Sequence, residues 1–121
     1  MADKLIEDLR LWGADIEATM PRFANNEAMY KKFLLKFPHD GSIDSLKNKV
    51  AAQNFDGEDG VLATAHTLKG VTGNLGLAPI FNALLQIVLD IRGGIYDNLV
   101  TLCDEASKQY AEFCEIMENN K

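Results

Sequence analysis

His66 and Lys69 stand three residues apart in Ala65-His66-Thr67-Leu68-Lys69-Gly70-Val71-Thr72-Gly73-Asn74-Leu75-Gly76, a segment with helical periodicity. At about 100° per residue, Val61, Thr64, Ala65, Leu68, Val71, Thr72 and Leu75 gather on one side, which must face a core. His66 points away from that side, and Asp59, Leu62, Lys69, Gly70 and Gly73 share its face. A solvent-exposed imidazole is largely neutral at pH 7 and keeps a nucleophilic nitrogen lone pair. An ammonium one turn away is within reach on the same face and would stabilise the negative charge of a phosphoryl group placed on that nitrogen. This spacing suits a group carrier that must enter another protein's active site.

The two glycines fit the same chemistry. Inside a helix each costs about 0.8–1 kcal/mol relative to alanine. Close packing against a neighbouring helix is the ordinary reason for a helix glycine, but Gly70 and Gly73 lie away from the apolar stripe. A strip without side chains beside a histidine reads instead as a docking floor. Leu62, one turn before His66 where a solvated helix would carry a charge, adds to that surface. The core-side threonines are tolerable because a helical hydroxyl can bond a carbonyl one turn back.

The elements that position this helix are all helical, since no segment shows a sustained period of two. Leu5, Ile6, Leu9, Trp12 and Ile16 make a first amphipathic helix that Gly13 interrupts. Asn25 or Asn26 caps a second, with Glu27 in its first turn, a stripe of Tyr30, Phe33, Leu34 and Phe37, and Pro38 as its end. Ser42 caps a third, with Ile43, Leu46 and Val50. Asp56 opens the fourth, the His66 helix, which Gly76 stops. Pro79 starts the fifth, carrying Ile80, Leu84, Ile87 and Ile91. After Gly93-Gly94 the sixth carries Leu99, Leu102, Ala106, Tyr110, Phe113 and Met117. Short turns between the last four predict an all-α domain, an antiparallel four-helix bundle, with the two N-terminal helices packed across one end.

Composition narrows the function. The 121 residues suffice for one domain spanning 1–121. A net charge of −6 argues against a nucleic-acid binder. No apolar stretch approaches a membrane span, and the N-terminus lacks the basic and apolar regions of a signal peptide, so the expectation is cytoplasmic. Cys103 and Cys114 lie roughly 16 Å apart along one helix, too far to bridge. The two histidines, His39 in a turn and His66, belong to no metal-binding motif, and no glycine-rich ATP loop is present. No metal or cofactor of its own is expected. The acidic pairs Glu7-Asp8, Glu58-Asp59 and Asp104-Glu105 read as solvated faces and capping charges.

The segment AHTLKGVTGNLG resembles the signature of histidine-containing phosphotransfer (HPt) domains, H-x-L-K-G followed by small residues, an apolar residue and glycine. RFANNEAMYKKFLLKF is similar to the family's second helix, and the helix after Gly76 to its next bundle helix, so the resemblance covers essentially the whole chain. It implies that His66 is the phosphoacceptor, through Nε2, that Lys69 sits near the phosphoryl oxygens, and that Gly70 admits a receiver domain, with Gly73 on the same surface. Many family members carry glutamine or glutamate on the following helix near the histidine. A gap-free register puts Val88 there, and Gln86, two residues earlier, is the nearest candidate.

In function, the resemblance implies a monomeric phosphoryl carrier, not an enzyme, in a multistep two-component phosphorelay. Its partners would be response-regulator receiver domains, which bring Mg²⁺ with their aspartate, and a hybrid sensor histidine kinase. An initial methionine and the lack of a trailing kinase or receiver permit a stand-alone shuttle, and a domain cut from a hybrid kinase would read the same. The alternative is an inert bundle that docks receivers without chemistry.

Overall fold

A computed structural model describes residues 3–37 and 42–121. Among these residues the secondary structure is helical, with no strand. Helix α1 (Lys4–Trp12) starts where the Asp3 carboxylate accepts the Leu5 N–H at 2.9 Å and ends at Gly13, whose φ of 123° suits glycine. Asp15 caps the short α2 (Ile16–Thr19), and a 3₁₀ turn over Met20–Phe23 follows. Of the two candidate asparagines, Asn26 caps α3 (Glu27–Lys36), accepting from the Met29 N–H at 3.1 Å. Asn25 precedes it with a left-handed φ of 57°. The expected stop at Pro38 and the turn with His39 and Gly41 lie outside the described residues. Helix α4 covers Ser42–Ala51, so Ser42 belongs to its first turn.

The His66 helix begins later than its acidic residues suggest. Helix α5 is Val61–Asn74, and Asp56, Glu58 and Asp59 sit in a loop wrapped around Asn54. The Asn54 and Phe55 carbonyls accept the N–H groups of Val61 and Leu62 at 2.9 and 2.8 Å. Gly60 fits because a Cβ there would meet the Asn54 carbonyl at 2.7 Å. Helix α6 (Ala78–Arg92) carries Pro79 in its first turn, and α7 covers Leu99–Asn119.

Helix α4 packs on α5 and α7, α5 on α6, and α6 on α7. The buried residues between them include Ile43, Leu46, Val61, Ala65, Leu68, Ile80, Leu84, Ile87, Val88, Leu99, Cys103 and Ala106. Helix α1 lies against α7, where the Trp12 indole N–H is shared by Gln109 Oε1 at 3.0 Å and Glu112 Oε2 at 3.2 Å. Phe113 stands between Trp12 and Phe37, at ring separations of 6.0 and 5.7 Å. At the opposite end of α7, Phe55 stacks on Tyr96 at 4.6 Å, joining the loop before α5 to the loop after α6. Among the described residues no helix is long and apolar enough to cross a membrane.

Candidate functional site

Both ends of α5 are tied down. At its start Lys49 of α4 donates to the Asp59 carbonyl and carboxylate and to the Thr64 hydroxyl, at 2.9, 3.0 and 2.9 Å. Thr64 therefore serves α4, whereas Thr72 bonds back along its own helix to the Leu68 and Lys69 carbonyls, at 2.9 and 3.2 Å. At its end, carbonyls with no helical partner are taken by two side chains. Arg22 Nη1 donates to Gly73 and Asn74 at 2.8 and 3.2 Å, which also complements the helix dipole. Tyr30 Oη donates to Leu75 at 2.7 Å. Burial pushes the Tyr30 phenol up to about 12.

The turn after Leu75 is tighter than a generic glycine stop. Gly76 has φ of 73°, and a Cβ there would come within 2.0 Å of Thr19 Oγ1 and 3.0 Å of the Asp15 carbonyl. Among the described residues Thr19 Oγ1 is buried with no hydrogen-bond partner, and it faces the open side of Gly76 where a side chain would stand. The Gly76 carbonyl accepts the Asp15 N–H at 2.8 Å. The N-terminal helices thus grip the α5–α6 corner.

Between these clamps His66 is exposed and Lys69 is half-buried one turn on. Neither side chain has a hydrogen bond or ion pair among the described residues. Gly70 is exposed, and a Cβ there would meet nothing within 4 Å. Gly73 differs. Its Cβ would lie 3.1 Å from two carbons of the Phe81 ring, so close packing against α6, the ordinary reason for a helix glycine, applies to it after all. Leu62 is also more covered than its wheel position suggests. It is half-buried and packs against the core because the loop at Phe55 folds back onto the start of α5. The open floor beside His66 is therefore centred on Gly70.

Gln86 does not join this face. Phe81 marks the edge of α6 that meets the glycine strip, and Gln86 lies about 140° round the helix from it. The Gln86 amide instead donates to the buried Asp90 carboxylate at 2.7 Å. Val88 is fully buried and offers His66 no polar group. The edge of α6 nearest the strip carries Phe81 and Leu85, both half-buried.

The other flank of α5 holds residues that the sequence pattern assigned to the core. Val71 is 40% exposed and Phe33 42% exposed. With Lys36, Thr67, Gly70 and Asn74 they line a cleft of about 490 Å³ between α3 and α5. A second hollow of about 640 Å³ continues it past Thr67 and Ala63 to Glu58 and Asp59. Lys36 borders both, its ammonium 5.3 Å from the centre of the Phe33 ring. A heptad count on α3 finds Phe33 beside Tyr30, Leu34 and Phe37. Only the tertiary structure, in which the ring meets Phe23 at 5.4 Å and borders the cleft, reveals that it is part-exposed.

Among the described residues no group of three or more His, Cys, Asp or Glu side chains is placed to hold a metal ion. Cys103 is buried and Cys114 half-buried, both as free thiols. Burial, reinforced by the neighbouring Asp104 carboxylate, pushes the Cys103 thiol up to about 11. Comparison of the chain with models of protein families, with curated proteins and with solved structures finds no match.

Proposed function

We propose that this protein is a histidine phosphotransfer carrier of the HPt type, with α4–α7 forming an antiparallel four-helix bundle and α1–α3 packed against it. The observation that carries the proposal is the exposed His66 on a helix clamped at both ends, with Lys69 one turn on and open space above Gly70. The partner is a receiver domain bearing a phosphorylated aspartate. The His66 Nε2 lone pair attacks phosphorus as the bond to the aspartyl oxygen breaks, and that bond's electron pair leaves with the carboxylate. The Nδ1 proton stays on the ring, so no external acid or base is needed. The reverse step hands the phosphoryl group to another receiver.

The division of labour rests on the residues. This chain supplies the nucleophile, a cation for the phosphoryl oxygens and a floor low enough for close approach. The partner supplies the carboxylate and its Mg²⁺, which carry most of the transition-state stabilisation. The test is to incubate the protein with a receiver domain charged by acetyl phosphate in Mg²⁺. The expected label is acid-labile and alkali-stable, and it is absent from His66→Gln, whose melting temperature stays close to that of the parent. No label across a panel of receivers would instead favour an inert docking bundle.

A further inference from the structure

We infer that Lys36, on α3, is a second phosphoryl-binding cation of the His66 site, an inference that rests on the phosphocarrier reading above. A phosphoryl group on imidazole carries up to two negative charges at neutral pH, while Lys69 brings one positive charge on one side of His66. Around α5, Lys69 lies about 60° from His66 toward the α6 side. Thr67 and Gly70 lie on the α3 side, about 100° and 40° away. Lys36 stands across the cleft on that second side, lining the same wall-to-wall space as Thr67, Gly70 and Val71.

Three features leave Lys36 available. Among the described residues it has no carboxylate partner, whereas Lys4, Lys31, Lys47 and Lys49 each have one. Its ammonium rests instead over the face of Phe33, at 5.3 Å. An exposed cation–π contact is weaker than a charge-assisted bond to a phosphate oxygen, so an arriving phosphoryl group outcompetes the ring. Finally, no side chain stands in the way at Gly70, where a Cβ would meet nothing within 4 Å. Gly70 thus leaves room for a partner above and a lysine stem from the side. The two lysines then bracket the phosphoryl oxygens from different helices.

Phosphoramidate tests this because a small donor needs no protein docking. Lys36→Ala should slow labelling of His66 roughly tenfold and shorten the phosphohistidine lifetime, with Lys36→Arg restoring most of both. The ³¹P resonance of phospho-His66 should titrate at higher pH in Lys36→Ala, a readout that a purely structural role would not move. Lys32→Ala, which removes an exposed lysine of the same helix that lines neither cleft, should label at the parental rate. Parental labelling and lifetime in Lys36→Ala, or equal slowing in Lys32→Ala, would overturn the inference while leaving His66 as acceptor. A parent protein labelled by neither phosphoramidate nor any receiver would overturn the phosphocarrier reading itself, and this inference with it.

Discussion

The Tyr30 hydroxyl donates to the Leu75 carbonyl at 2.7 Å, and this buried bond fastens α3 to the end of the helix that carries His66. Forty-five residues of sequence separate the partners, so the bond reports the tertiary fold directly. In Tyr30→Phe the ring still fills its site but the carbonyl loses its donor. The expected cost is about 1–3 kcal/mol at pH 7, measured by urea denaturation.

The same residue sets an alkaline limit. Burial raises the folded Tyr30 pKa from 10.0 to about 12. A group whose pKa is higher folded than unfolded gives its full contribution below the unfolded value and loses it as pH rises through the folded one. Stability should therefore fall between about pH 10 and pH 12. Tyr30→Phe should show a shallower decline there, and an identical decline would assign the loss to other groups.

Gly70 and Gly73 look alike in sequence and should behave differently. Gly70→Ala gains helix propensity in open space and should stabilise by about 0.8–1 kcal/mol. Gly73→Ala must move the Phe81 ring and should gain less or lose stability, as thermal melts would show. Gly70→Gln should also melt higher, yet lose more of its rate with a receiver than with phosphoramidate. Unchanged receiver transfer in Gly70→Gln would remove the docking role of the floor.

Gly76 combines a left-handed φ with contact on both Thr19 and the Asp15 carbonyl. Alanine there would be strained and would collide with the buried Thr19 side chain and approach the Asp15 carbonyl. The expected loss is about 3 kcal/mol by chemical denaturation. The double variant Gly76→Ala/Thr19→Ala should recover the part due to collision and keep the part due to φ.

The two thiols should separate cleanly. With its thiol pushed up to about 11 by burial, Cys103 is ionised to about one part in a thousand at pH 8 and is shielded as well. An aromatic disulfide reagent should find one reactive thiol in the native protein, Cys114, and both in denaturant. Cys114→Ser should abolish the native reaction.

Where the pattern was local, the sequence was a good guide. Pro79 in the first turn of α6, the apolar spacing of α6 and α7, a cap at Asn25 or Asn26 and the glycine stop at Gly76 depend on residues near in the chain, whereas the contacts of Gly76 with Thr19 and Asp15 do not. The start of α5 departs from the pattern because Asp56, Glu58 and Asp59 resemble the acidic first turn of a helix. Their loop is shaped by Asn54, whose role no periodicity announces. Gly73 departs from the wheel because Phe81 comes from another helix, and Val71 because a wheel does not show which part of an apolar stripe its neighbours leave open. Phe33 sits in an apolar stripe with Tyr30, Leu34 and Phe37, and no periodicity marks Lys36 beside it. The His66, Lys69 and Gly70 arrangement was legible since one helix contains it all. What borders it required the packing of α3 and α6.

The clamps at the two ends of α5 have a thermodynamic consequence. Helix termini ordinarily fray, and a partner that grips a frayed helix loses part of its affinity in ordering it. Here Lys49 holds one end, and Arg22 and Tyr30 hold the other. Whatever lands on the exposed face meets a surface that is already ordered. Its association should be that of two rigid bodies, with nearly unchanged backbone amide exchange along α5 outside the footprint itself.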